Sequence, residues 1–199
     1  MNVLSDLFFT PWGIVAIASL LLLFLVVPVS LFLRRAAAAR RVGLLLEKYA
    51  SDMINEAVMP DGIDGFIFAD YLLRIGSNIV ILNVESRKGY IFGAANIDEW
   101  TCVENKRTGK FNNPLKRATL FAQQCRHIGG IDDVRAHVLF GSESEFPKGV
   151  PEGVVEMLQF EALLASFLNG EDDLEAVNEA WFKLKTMNQE SSLQISSTL

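Results

Sequence analysis

An α/β domain behind one N-terminal transmembrane helix is the fold class predicted by three features of this 199-residue chain. One is an uncharged apolar stretch from Leu7 to Leu33. Another is a set of short β-branched runs, clearest from Ile79 to Val84 and from Val134 to Phe140. The third is a helical repeat between those runs, opened by Pro114 and closed by Gly129 and Gly130. Strand, helix and strand in that order form the unit of an α/β core. The chain is long enough for one domain with a sizeable interior.

Half the residues are hydrophobic and the mean hydropathy is +0.26, with the excess at the N-terminus. Trp12 to Leu33 is long enough to cross a bilayer core. Trp12 suits one interface, and Arg34, Arg35, Arg40 and Arg41 crowd the other. That arginine bias places the C-terminal body in the cytoplasm. A cleaved signal peptide would carry a basic leader and a shorter apolar run, without arginines behind it. Residues 1–34 are therefore expected to anchor the chain once in the inner (plasma) membrane, N-terminus outside. Pro28 is tolerated in such a helix. Alanines 36–39 and the run from Val42 to Tyr49 predict that the helix continues off the membrane, giving a juxtamembrane helix over 35–58.

The body is expected to span 59–186. Pro60-Asp61-Gly62 is a turn signal, and Ile63 to Leu73 is expected to hold a strand pair. Gly76-Ser77-Asn78 should make a hairpin into the central strand. Short strands are expected at Tyr90 to Phe92 and at Trp100 to Val103, the second alternating like a half-exposed edge. Asn105 to Lys110 is a basic turn. Asn112 or Asn113 can cap the helix opened by Pro114. Leu115, Ala118, Thr119, Ala122, Cys125 and Ile128 mark its buried face. After the strand ending at Phe140 come a polar loop and an amphipathic helix from Gly153 to Leu168. A short helix from Leu174 to Leu184 follows, behind acidic Glu171, Asp172 and Asp173. The polar tail, 187–199, is expected to be disordered.

Asn83 and Glu85 lie two apart on the central run, a spacing that points both side chains to one face of a strand. Asp70 lies thirteen residues before Asn83, within the apolar run from Phe66 to Leu73. Adjoining strands would bring all three onto one surface. An Asp on one strand and an acid-x-Lys triplet on the next resembles the metal site of the PD-(D/E)xK nucleases. The surrounding text is similar to one branch of them, the nuclease-related domain (NERD) family. The matching residues are Ala69-Asp70-Tyr71, Leu82-Asn83-Val84-Glu85, Gly89-Tyr90-Ile91-Phe92-Gly93, Trp100, Asn113-Pro114-Leu115 and His137-Val138-Leu139-Phe140. The resemblance covers roughly residues 60 to 165 and rests on order and spacing.

It implies a restriction-endonuclease-like mixed sheet flanked by helices and a catalytic surface of Asp70, Asn83 and Glu85. It also implies a divalent metal, Mg2+, held by Asp70 and Glu85, with DNA or RNA as the partner. A family acid near the start of the first helix has Glu47 and Glu56 as candidate counterparts. Asp64 copies the family's Ile-Asp pair, but its spacing rejects it, and an Asp before Gly is a turn residue. The departures are specific. Asn83 stands where the family has its second acid, Glu85 where it has Lys, and Arg117 where a Gln often follows the Pro. A neutral carbonyl is a weaker ligand for a hard cation than a carboxylate, and losing the Lys removes a cation that steadies the transition state. Arg87 and Lys88 lie just beyond, but Lys88 should face the other side of a regular strand.

Cys102 and Cys125 have no paired spacing, so neither a zinc site nor a disulfide framework is supported. His127 and His137 are isolated, and no phosphate-cradling glycine loop is present. No small-molecule cofactor is indicated. Formal charge is -6; setting aside the four membrane-flanking arginines and Asp6 leaves 14 basic against 23 acidic residues. Nucleic-acid binding needs a basic footprint. Arg87, Lys88, Lys106, Arg107, Lys110, Lys116, Arg117 and Arg126 could supply one, or could be a solvated surface.

Three readings follow. The first is a membrane-anchored cytoplasmic domain that keeps the nuclease fold without the activity, as a nucleic-acid-binding or regulatory module. The second is an active metal-dependent nuclease with a rearranged Asp/Asn/Glu site. The third is a structural membrane protein whose body binds a protein partner.

Overall fold

A computed structural model describes residue 24, residues 40–169 and residues 174–198. The expected anchor over 1–34 lies outside the described residues, Phe24 excepted. No helix among the described residues is long and apolar enough to cross a membrane. The chain divides into two compact units, Met1–Leu44 and Leu45–Leu199. Helical residues 40–49, here α1, straddle that division.

The elements of the second unit continue as β1 (Asp52–Pro60), β2 (Phe66–Ile75), β3 (Asn78–Glu85), β4 (Gly89–Phe92), β5 (Glu99–Glu104) and β6 (Arg107–Asn112). After them come α2 (Pro114–Gly129), β7 (Val134–Phe140), β8 (Ser144–Glu145), β9 (Val154–Glu156), α3 (Phe160–Ser166) and α4 (Leu174–Thr198). The architecture is mixed α/β. A five-stranded sheet has the order β1-β2-β3-β7-β9, and a four-stranded sheet the order β6-β5-β4-β8. β1, β2 and β3 run antiparallel, while β3, β7 and β9 are parallel.

α2 joins the two sheets because its apolar face is long enough to serve both. Phe121, Ala122 and Cys125 pack with Ile79 and Ile81 of β3 and with Val177, Ala180 and Trp181 of α4. One turn nearer its start, Leu115 and Ala118 pack with Ile91, Trp100, Phe111, Val138 and Phe140. Asn113 caps the helix by accepting a hydrogen bond from Leu115 N–H, and Gly130 closes it in a left-handed conformation. Those terminators were legible as Pro, Asn and Gly signals. Phe121 takes the buried place expected of Thr119, which is exposed.

Several expectations are corrected. The juxtamembrane helix does not run to 58, because β1 begins at Asp52 and pairs with β2 along nearly its whole length. The basic turn over Asn105 to Lys110 is a two-residue turn leading into β6, an exposed edge strand whose charged side chains mask its pairing potential. That makes β5 interior to its sheet rather than an edge, with Trp100 buried. The helix expected from Gly153 to Leu168 is strand β9 followed by the shorter α3, since the β-branched Val154 and Val155 pair alongside β7.

The tail over 187–198 is helical, not disordered. Asn188 Oδ1 accepts Val58 N–H at 2.7 Å, and Ser191 is buried, so α4 lies along β1. The turn at Pro60-Asp61-Gly62, the hairpin closing on Ile75 and Asn78, and strand β7 stand where the residues placed them.

Candidate functional site

The two strands that carry the expected site do adjoin, in antiparallel register with Tyr71 opposite Leu82. The next position outward sets Asp70 against Asn83. Asp70 N–H donates to Asn83 Oδ1 at 3.0 Å. In return, Val84 N–H donates to Asp70 Oδ2 at 2.6 Å. Asp70 thus lies against the backbone one residue before Glu85. Asn83 is fully buried, and Asp70 and Glu85 are half-buried.

Glu85 turns to a different partner. Its carboxylate pairs with Arg87 Nε at 3.1 Å, and the Arg87 guanidinium lies 4.0 Å from the Phe111 ring centre. The pair sits where the five-stranded sheet gives way to the four-stranded one. Arg87 is therefore the cation nearest Glu85, supplied two residues downstream of it.

Glu56, one of the two candidate acids, occupies the β1 position between the pairs Asn55–Tyr71 and Ala57–Ala69, opposite Asp70. Its φ of 51° is left-handed, rare for a residue with a side chain, and the strand pairing skips it. Strand register alone reveals this placement. Glu47 is exposed on α1.

The Gly-x-Ile-x-Gly stretch is steric. Gly89 has φ of 88°, and a Cβ there would fall 2.4 Å from Val103 O. A Cβ on Gly93 would fall 2.1 Å from the Trp100 indole. Asn113 binds the loop between β4 and β5, donating from Nδ2 to the carbonyls of Ala95 at 3.0 Å and Ile97 at 2.8 Å. Trp100 Nε1 donates to Ala94 O at 3.0 Å. These matching residues hold the frame around the site without joining it.

Most of the basic residues singled out from the sequence are already paired. Besides Arg87, Lys88 pairs with Glu143, Lys110 with Glu99, and Lys116 with Asp98. Arg126 donates to the Asp132 and Val134 carbonyls. Among the described residues Lys106, Arg107 and Arg117 make no ion pair and are exposed. His137 packs on Phe167, and burial holds its imidazole below the usual range. His127 is exposed on α2. Cys125 is buried, which pushes its thiol up to about 12, and Cys102 is free.

The donor set does not fit a divalent cation. The Asn83 oxygen is taken by Asp70 N–H, so the amide turns its Nδ2 donor inward, where it meets no partner. Flipping the amide would set a donor against a donor. One Asp70 oxygen is spent on the Val84 amide, and the Glu85 carboxylate is shared with Arg87. Among the described residues no three His, Cys, Asp or Glu side chains converge as metal ligands.

The family model described as the nuclease-related domain matches residues 34–141, more than half of the chain. The match starts earlier than the resemblance read from motifs, and so includes α1 and β1. No curated protein and no solved structure matches.

Proposed function

Because the chain belongs to the nuclease-related domain family, we propose that it is a nuclease-fold module that does not cleave phosphodiesters and acts as a binding or regulatory body. Residues 1–34 hold it at the inner membrane with the body in the cytoplasm. The mixed α/β architecture is consistent with a restriction-endonuclease-like fold.

One observation carries the non-cleaving reading: each of the three side chains at the family's catalytic positions is committed to an internal bond. Metal-assisted hydrolysis needs free carboxylate oxygens to fix a cation and a charge to steady the developing phosphorane. Here Asn83 offers a donor where a ligand is wanted, and Glu85 offers an anion where the cation is wanted. Arg87 returns a positive charge but spends it on Glu85. Of the basic residues named from the sequence, Lys106 in the β5–β6 turn, Arg107 at the start of β6 and Arg117 on α2 are left without an ion pair for a nucleic-acid backbone.

The alternative is an active nuclease with a rearranged site. Glu56 favours it, since its register position adds a carboxylate opposite Asp70.

Full-length protein in detergent, incubated with Mg2+ or Mn2+ and end-labelled DNA or RNA, is expected to leave every strand intact. Metal-dependent cleavage that disappears in Asp70→Ala would install the alternative. Retention of labelled strands that weakens with salt and in K106A/R107A assigns nucleic acid as the ligand. No retention leaves a protein partner.

A further inference from the structure

Two backbone N–H groups lose their strand partners around Asp70, and side chains replace both. The two-residue turn at Gly76 and Ser77 makes Ile75–Asn78 the closing pair of the β2–β3 hairpin. Bonded and open pairs alternate in an antiparallel ladder, so Ala69 and Val84 would be the next bonded pair after Tyr71 and Leu82. Pairing stops before it, and Val84 N–H goes to Asp70 Oδ2. On the other edge of β2, the same alternation assigns Asp70 N–H to Glu56. That pair is the one β1 skips, and Asp70 N–H goes to Asn83 Oδ1. Each side chain therefore satisfies a backbone amide on the opposite strand.

We infer that Asp70 and Asn83 form a metal-independent clasp joining β2 to β3, in the place of the family's metal-binding pair, so that this fold neither holds nor needs a divalent ion there. The inference rests on the non-cleaving reading and deepens it, turning a lost activity into a structural role. An amide is what the clasp requires. It supplies one acceptor to Asp70 N–H and brings no charge next to the Asp70 carboxylate. An aspartate at 83 would be a fully buried anion beside another anion, which desolvation and like charge both oppose.

The test is calorimetric titration of the full-length protein with MgCl2 or MnCl2, with melting followed in the metal and in EDTA. The expected result is no binding heat at the site and a melting shift below about 1 °C. A site whose dissociation constant lies about 100-fold below the metal concentration would raise melting by roughly 5–10 °C, and that result overturns the clasp. Asn83→Asp is expected to melt lower than wild type in EDTA and to recover in Mn2+; equal stability in EDTA overturns the inference. Should that variant not fold, amide exchange decides. Protection at Val84 is expected to fall in Asp70→Ala and persist in Asp70→Asn, and unchanged protection in both ends the proposal. Metal binding without strand cleavage ends the clasp and leaves the non-cleaving reading standing, whereas metal-dependent cleavage ends both.

Discussion

Asp52, the first residue of β1, holds α4 to the five-stranded sheet through a single carboxylate. Its Oδ2 accepts from Trp181 Nε1 and from Lys185 Nζ, each at 2.9 Å. Burial alone would raise this carboxyl, but the bonds from Trp181, Lys185 and Met53 N–H, with the Lys185 charge, outweigh it and hold it below its ordinary 3.8. A depressed carboxyl stabilises the fold above its unfolded pKa and loses that contribution as pH falls through the folded value. Asp52→Asn is therefore expected to lower stability at pH 7 and to flatten the loss seen below about pH 4. Both partners are more than a third exposed, so solvent screening limits the effect to about 1 kcal/mol. Urea unfolding at pH 7 and pH 3 checks it. At the same scale, Asn83 shows how one amide can decide chemistry. Sequence placed it beside Asp70, but not which of its ends would face inward.

The most informative element is α4, whose 25 residues run far past the helix end expected at Leu184. Its composition beyond Thr186 is polar, and nothing local demands a helix there. The helix persists because β1 is a sheet edge with an unpaired amide at Val58, and Asn188 reaches it. Ending the chain after Lys185 is expected to cost about 1 kcal/mol for the Val58–Asn188 hydrogen bond it removes, with the packing of Met187 against the core lost besides. A shift in the urea midpoint measures it; a truly disordered tail would give none. β9 was hidden for the converse reason. Its three residues are too few for a periodic signal, and only pairing with β7 extends them. α2 is the opposite case, since Asn112, Asn113 and Pro114 before it and Gly129 and Gly130 after it mark both ends in the residues themselves, and folding chose Asn113 and Gly130 among them.

At the scale of the molecule, charge is balanced by pairing more than by segregation. Four of the eight basic residues named from the sequence for nucleic-acid contact are bonded to acids from neighbouring loops and strands. Their closeness in sequence suggested a basic face; their partners become visible only when the chain is folded. The proposed anchor makes a separate prediction. Full-length protein is expected to sediment with membranes and to resist carbonate extraction, while a chain lacking residues 1–39 is expected in the supernatant. Fractionation and immunoblotting distinguish the two, and full-length protein released by carbonate would remove the anchor from the proposal.

What the residues determined unaided was local: the turns after Pro60 and at Gly76, the region of the cap and stop of α2, strands β3 and β7, and the ordered motifs that mark the family. Hydrophobic period and turn chemistry act over a dozen residues and need no partner. What folding alone decided was every bond made across greater distance. The clasp joins residues 13 and 14 apart, and Asn188 meets Val58 from 130 positions away. Whether Asp70 binds a metal or an amide depends on strand register and on the direction of one buried side chain, and these are set by the packing of the whole sheet rather than by neighbours along the chain.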